Sequence, residues 1–167
     1  MTQYALIIDL DRCVGCYACE VACKQINNIP PGTPSWIQVV QVGPKLVGDE
    51  LTMHFVPTVC KHCGDPPCID ACPEDAITKR EDGIVLINEE LCIGCKACIE
   101  ACPFKAPQYN QEKNIVEKCT LCVDRVEKGL KPYCAMHCPV EAIYFGDPTE
   151  IAKQLRKEYA VYHVKKT

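Results

Sequence analysis

Cysteine spacing limits what this chain can fold into more than any other feature. Sixteen cysteines stand in four groups of four, with none left over: Cys13, Cys16, Cys19 and Cys23; Cys60, Cys63, Cys68 and Cys72; Cys92, Cys95, Cys98 and Cys102; Cys119, Cys122, Cys134 and Cys138. A [4Fe–4S] cube takes one thiolate per iron, so four complete quartets suit four such clusters. Three cysteines two residues apart can wrap three corners of a cube, while the fourth corner is reached from elsewhere. The pattern implies an electron conductor.

The third group, Cys92-Ile93-Gly94-Cys95-Lys96-Ala97-Cys98-Ile99-Glu100-Ala101-Cys102-Pro103, is the bacterial ferredoxin run C-x2-C-x2-C-x3-C-P. In that run the last cysteine serves the other cluster of a two-cluster pair. The first group repeats it with Gly15, Ala18 and Ala22 in register, but has Lys24 where the other groups have proline. Three other readings of the cysteines compete. A disulfide framework needs an oxidising compartment and usually an export signal; residues 1–11 carry no basic start, twin arginine or small-residue cleavage site. Structural zinc usually takes separated C-x2-C pairs rather than four-cysteine runs closed by proline. Small core hydrophobes would lie on apolar stripes, whereas Gly and Pro put these cysteines in tight loops.

The rest of the composition leaves a thin ordinary core. Of 167 residues 48% are hydrophobic, but that figure includes the cysteines, and there are only three Phe and one Trp. Much of the interior is expected to be iron and sulfide, so that metal binding is coupled to folding. No apolar run is long enough for a membrane helix and no lipidation signal is visible, so any membrane contact is expected to be indirect and the location cytoplasmic. The formal charge of −4 becomes about −12 if each oxidised four-thiolate cluster adds roughly −2. Such a molecule is not expected to bind nucleic acid, and no basic patch with interleaved aromatics argues otherwise. No G-x-G-x-x-G, P-loop, H-E-x-x-H or G-x-S-x-G is present, so no catalytic residue is assigned and the chain is not expected to be an enzyme by itself.

β-Branched and apolar stretches at residues 4–10 and 84–88 precede the two glycine-bearing runs and predict strands. Residues 74–88 predict a hairpin turned at Asp82-Gly83, and residues 141–146 a strand after the last Cys-Pro. A short helix is expected after each cysteine group. The stretch 24–59 opens with a Pro-rich loop at 29–34 and predicts two strands, 36–42 and 50–56, around a Gly-Pro turn. Asp147, Pro148 and Glu150 form a helix start, predicting a helix to about Tyr159 that serves either as a lid over the core or as a docking arm.

Two further runs are distinctive: Cys60-Lys61-His62-Cys63-Gly64-Asp65-Pro66-Pro67-Cys68, continuing to Cys72-Pro73, and Lys118-Cys119-Thr120-Leu121-Cys122, continuing through Arg125, Gly129 and Pro132 to Cys134 and Cys138-Pro139. With them, residues 1–150 resemble the four-cluster iron–sulfur subunits of the dimethyl sulfoxide reductase family and related molybdenum and tungsten oxidoreductases. The resemblance implies that the first group pairs with the fourth and the second with the third. Cluster 1 would then be held by Cys13, Cys16, Cys19 and Cys138, and cluster 2 by Cys119, Cys122, Cys134 and Cys23. Cluster 3 would be held by Cys60, Cys63, Cys68 and Cys102, and cluster 4 by Cys92, Cys95, Cys98 and Cys72. Some relatives replace a third-group cysteine and hold a three-iron cluster; here all sixteen positions are cysteine, so four [4Fe–4S] clusters are expected.

The implied fold is α+β, a single domain of two interleaved ferredoxin-like units of βαβ type. The inner unit is 57–112 and the outer unit is 1–24 with 113–146. An insertion hairpin spans 25–56, and a C-terminal helix and tail span 147–167. The implied role is a non-catalytic relay of single electrons to or from a large catalytic subunit, pterin–metal in type, with a further electron-accepting or flavin subunit as another partner. Short members of the family also serve hydrogenase and formate systems. A free polyferredoxin is the rival carrier reading, and a zinc-stapled interaction module the remote one.

Lys24, Lys61, Lys96, Lys105 and Lys118 sit beside the cysteine groups, either favouring reduction by their charge or lying solvated on the surface. His62 and His137 either tune a potential or pack a loop. Gly15 and Gly94 are expected to let backbone N–H groups approach sulfur.

Overall fold

Each cysteine run folds as a loop that turns into a short helix, and paired strands fill the intervals between runs. The computed structural model describes residues 3–164. The expected tail at 165–167 and the first two residues of the outer unit lie outside the described residues. In chain order the elements are β1 (Ala5–Ile8), α1 (Ala18–Ile26), β2 (Ile37–Val47), β3 (Glu50–Val59), α2 (Pro67–Asp70), β4 (Ile77–Lys79), β5 (Val85–Ile87), α3 (Ala97–Ala101), β6 (Gln108–Asn110), β7 (Ile115–Glu117), α4 (Val123–Val126), α5 (Tyr133–Met136), β8 (Ile143–Gly146) and α6 (Pro148–Val164).

The helices begin inside the cysteine groups, not after them. Cys19, Cys68, Cys98 and Cys134, the third cysteines, lie in α1, α2, α3 and α5. Proline then stops the helix, because the residue before it is pushed out of the α region. Accordingly α2, α3 and α5 run only four or five residues ahead of Pro73, Pro103 and Pro139. Lys24 removes that stop, and α1 runs nine residues, through Cys23 to Ile26. After each Cys-Pro comes a left-handed residue, Asp75 (φ 47°), Lys105 (48°) or Glu141 (53°). Each is followed by a buried alanine, Ala76, Ala106 or Ala142, from which the chain enters β4, β6 or β8.

The strands form four antiparallel pairs. β4 and β5 make the expected hairpin, with Gly83 N–H donating to Arg80 O (3.0 Å) across a turn where Gly83 has φ 82°. β1 pairs with β8, Ala5 opposite Gly146 and Ile8 opposite Ile143, which ties the two ends of the cysteine array together. β6 and β7 form a hairpin that the sequence pattern does not announce, because its strands are three residues long and begin Gln108-Tyr109-Asn110.

The hairpin of β2 and β3 turns at Gly48-Asp49, between Val47 and Glu50, and not at Gly43-Pro44. Gly43-Pro44 instead sits in a register shift between Val42 and Lys45. Proline has no N–H for the ladder and is tolerated at such a bulge. Gly43 has φ 108°, and a Cβ there would lie 2.7 Å from Thr52 O, so glycine is needed where the strand bends. β3 also runs on to Val59, directly against Cys60.

Three apolar clusters hold these pieces. Ile37, Val39, Val59 and Ile143 pack with Cys19, Cys23, Cys119 and Cys134; Ile77, Val85 and Val116 pack with Cys68 and Cys98. A third cluster, Ile84, Leu121 and Val126 with Tyr4, Leu6, Leu86 and Phe145 against it, joins the two ends of the chain to the middle. Tyr4 and Phe145 stack there at 5.2 Å between ring centres.

α6 is longer than the sequence suggests, because neither glycine nor proline follows Tyr159. Asp147 caps it, its Oδ1 accepting from the N–H groups of Thr149 (2.8 Å) and Glu150 (3.3 Å). Its side toward the β1–β8 sheet buries Ile151 and half-buries Leu155, and Glu158 accepts from Tyr144 Oη at 3.0 Å. Replacing the cap by alanine removes acceptors for two orphan amides, so Asp147→Ala is expected to weaken α6 by about 1 kcal/mol. Hydrogen exchange should speed up over residues 149–158 and stay unchanged in the cysteine loops.

Candidate metal centres

All four C-x2-C loops share one backbone device. The residue before the second cysteine is left-handed in each: Gly15 (φ 67°), His62 (44°), Gly94 (67°) and Leu121 (57°). That conformation is easy for glycine and strained for other residues, so the glycines follow the loop geometry without being required by it. The turn curls backbone N–H groups inward, and Leu121 N–H lies 3.3 Å from Cys119 Sγ. Val116 N–H reaches Cys92 Sγ at 3.4 Å, Ala142 N–H reaches Cys138 Sγ at 3.2 Å, and Asn27 Nδ2 reaches Cys23 Sγ at 3.5 Å. Donors aimed at sulfur favour the thiolate that iron requires.

The fold brings cysteines of different groups to common cavities. Cys92, Cys95 and Cys98 line one, and Cys72 of the second group lines it with them. Cys60, Cys63 and Cys68 line another together with Cys102 of the third group. Cys119, Cys122 and Cys134 line a third with Cys23 of the first group. Cys19 lies within electrostatic reach of Cys13 and of Cys138 from the fourth group, and Cys16 is exposed in the same loop. Among the described residues no group of three or more His, Cys, Asp or Glu converges as a single-ion site. A cube takes its thiolates at corners around a shared volume, whereas a zinc ion draws its sulfurs to about 2.3 Å.

Burial makes these sites expensive without metal. It pushes the thiols of Cys19 and Cys134 up to about 12 and those of Cys23 and Cys98 up to about 11, while Cys119 is raised well above its ordinary value. Neighbouring thiolates add to the shift, Cys122 at Cys134 and Cys92 at Cys98. Iron supplies the positive charge that lets four thiolates share such a space. The same interactions reveal how the cavities follow one another. Cys134 feels Cys19, Cys119 feels Cys60, and Cys98 feels Cys68.

The long hairpin supplies walls that the cysteine pattern does not foretell. Trp36, Ile37 and Val59 line the cavity of Cys119 and Cys23, and Phe55 covers Gly15, where a Cβ would lie 2.3 Å from its ring. Glu20 in α1 accepts from Val39 N–H and so fixes the hairpin to the first loop. The β6–β7 hairpin treats Gly94 alike: a Cβ there would meet Asn114 O at 2.3 Å. Trp36 and Phe55, aromatics lying between the first two cysteine groups, are the sequence signal that could have pointed to the first of these walls.

Four of the five flanking lysines have surface or structural work. Lys24 Nζ donates to Thr33 O (2.5 Å) in the Pro-rich loop, Lys61 is exposed, Lys96 lies 3.8 Å over the Tyr109 ring, and Lys105 donates to Ile99 O (3.2 Å) and Glu100 O (3.1 Å). Lys118 is buried. His137 is exposed and stacks on Tyr133, packing a loop, whereas His62 is buried.

Comparison with known proteins agrees with this chemistry. Two 4Fe-4S dicluster domains match, one over residues 51–148 and one over residues 12–77. This protein is a member of the 4Fe-4S dicluster family of iron–sulfur electron-transfer subunits. One component of the anaerobic dimethyl sulfoxide reductase of Escherichia coli (strain K12) is 41% identical over 159 residues, covering 92% of this chain and 78% of that one. One component of the tetrathionate reductase of Salmonella typhimurium is 42% identical over 149 residues, 87% of this chain and 58% of the relative. A component of the sulfite dehydrogenase of Allochromatium vinosum is 40% identical over 170 residues, 88% and 70%. A solved structure, the active site complex BamBC of benzoyl coenzyme A reductase, aligns with TM-score 0.45 at 24% identity over 96% of this chain and 91% of that one, too distant to argue from. Two dicluster domains imply four [4Fe–4S] clusters in this family member. No helix among the described residues is long and apolar enough to cross a membrane.

The glycine at 94 has no room to change. Gly94→Ala should place its methyl against Asn114 O and force alanine into the left-handed region, lowering bound iron and acid-labile sulfide by about one cluster in four. Gly64→Ala, where nothing lies within 4 Å, should leave both contents at the parent level.

Proposed function

We propose that this chain relays single electrons through four [4Fe–4S] clusters between the catalytic subunit of an oxidoreductase complex and a second redox partner. The observation that carries the reading is the exchange of fourth cysteines among the cavities: Cys72 with Cys92, Cys95 and Cys98, Cys102 with Cys60, Cys63 and Cys68, and Cys23 with Cys119, Cys122 and Cys134. With Cys138 beside Cys19 and Cys13, these are the ligand sets that the family resemblance implies. Each cluster, when bound, accepts and releases one electron with little change in structure. The protein's own part is to hold the thiolates, aim amides at sulfur, and wall off water with Trp36, Phe55 and the strands.

The sequence of thiol neighbours supports a single row: Cys13, Cys16, Cys19 and Cys138 at one end, then the Cys119 set, then the Cys60 set, then the Cys92 set. In this reading the inner and outer ferredoxin-like units are interleaved, and β1–β8 closes the outer one. The catalytic partner is a pterin–metal subunit, as the family resemblance implies, and assembly takes place in the cytoplasm. A flavin-bearing chain is one class of second partner.

Two outcomes test the proposal. Native purification should recover the chain with a large cofactor-bearing subunit; a protein running as a free monomer in every extract would favour a diffusible polyferredoxin. Cys138→Ala should disturb one electron paramagnetic resonance signal, the same one disturbed by Cys13→Ala more than a hundred residues away. Four unaltered signals in Cys138→Ala would refute the crossed ligand sets.

A further inference from the structure

Val85 sits in β5 beside the middle of the array, and side chains from two other loops take both of its outward backbone groups. Its N–H donates to His62 Nδ1 at 3.0 Å. Its carbonyl accepts from Lys118 Nζ, which also donates to Cys119 O at 3.2 Å. His62 is 4% exposed and Lys118 3% exposed; among the described residues they are the buried basic side chains.

The two contacts leave a donor unspent. With Nδ1 accepting, a neutral imidazole carries its proton on Nε2, and Nε2 is buried with no hydrogen-bond partner among the described residues. An orphan donor in a dry site costs free energy unless something accepts it. Both side chains line the cavity of Cys60, Cys63, Cys68 and Cys102, whose other walls include Pro66, Pro67, Val85, Pro103, Phe104 and Pro107. No side chain there except cysteine can accept a hydrogen bond from it. Sulfur is therefore the partner that the imidazole lacks.

The geometry points to His62 and Lys118 as the residues that raise the reduction potential of the cluster held by Cys60, Cys63, Cys68 and Cys102, through an Nε2–H···S hydrogen bond and a buried ammonium. The inference rests on the ligand sets proposed above. Reduction adds one electron, delivered and removed by the relay, with no bond or proton changing hands. The reduced state carries one more negative charge, which a nearby cation and a donated N–H both stabilise. Lys118 lines the same cavity as the four thiols and is held there by the carbonyls of Val85 and Cys119. Being buried, it is little screened by salt.

Neither residue recurs at the matching position of another loop. Gly15, Gly94 and Leu121 occupy the position of His62 and offer no side-chain donor. Arg12, Val59 and Leu91 occupy the position of Lys118, and Arg12 is exposed and paired with Glu158 at 3.4 Å. The effect should fall on one centre of the row, next to the junction where Cys119 feels Cys60.

The test is a potentiometric titration, followed by electron paramagnetic resonance, of the loaded protein in its native complex. Lys118→Met should lower the midpoint of one signal by at least tenfold in its reduction equilibrium constant, about 59 mV for one electron, at low and high salt alike. That signal should be the one altered by Cys63→Ser, and Lys118→Arg should restore it most of the way. His62→Leu, which copies the residue tolerated at Leu121, should shift the same signal in the same direction and carries the test if Lys118→Met does not load. Unchanged midpoints in His62→Leu with full iron content, or a shift spread equally over all four signals, would overturn the inference. A parent protein with zinc or fewer than four iron–sulfur signals would instead defeat the relay reading itself.

Discussion

The structure depends on one constraint: three cysteines of a group face one cavity, and the fourth, one helical turn on, faces another. In α1 the step from Cys19 to Cys23 is four residues, so the two thiols share a helix face yet reach different neighbours. Metal bound in either cavity would brace loops far apart in the chain. The rest of the fold reads as support for that exchange. Proline after Cys72, Cys102 and Cys138 ends each helix as soon as the fourth cysteine is placed, and the left-handed residue and buried alanine that follow steer the chain into a strand.

Strand pairing enforces the same connections in the polypeptide. β1 lies against β8, so the loop of Cys13 meets the segment of Cys138, while β4 and β5 fold the second group back on the third. Residues between the groups close the walls. Phe55 over Gly15 and Asn114 over Gly94 are different atoms at the same task, shutting the outside of a C-x2-C turn. The β2–β3 hairpin is thus partly structural: its base helps line a cavity, and its far end extends with Leu46 and Leu51 exposed.

Much of this was legible because cysteine, proline and glycine act locally. The quartets, the repeat of the first group in the third, the turn at Gly83 and the Asp147 cap each follow from short-range geometry. The departures have equally physical causes. Gly43-Pro44 has turn composition, yet the strands flanking it pair through a bulge and turn at Gly48-Asp49, which pairing and not propensity decides. β6 and β7 are too short to show a period. Helices started inside the groups because the x3 interval is itself one turn of helix. The role of His62 depends on Val85 and Lys118, distant in sequence, so no local pattern distinguishes it from His137.

Native mass spectrometry of the anaerobically purified protein tests the central claim most directly. Four interlocked thiolate quartets predict a mass excess of four Fe4S4 units, lost in whole units as single fourth-position cysteines are removed. A mass excess matching a few zinc ions, or no sulfide at all, would contradict it.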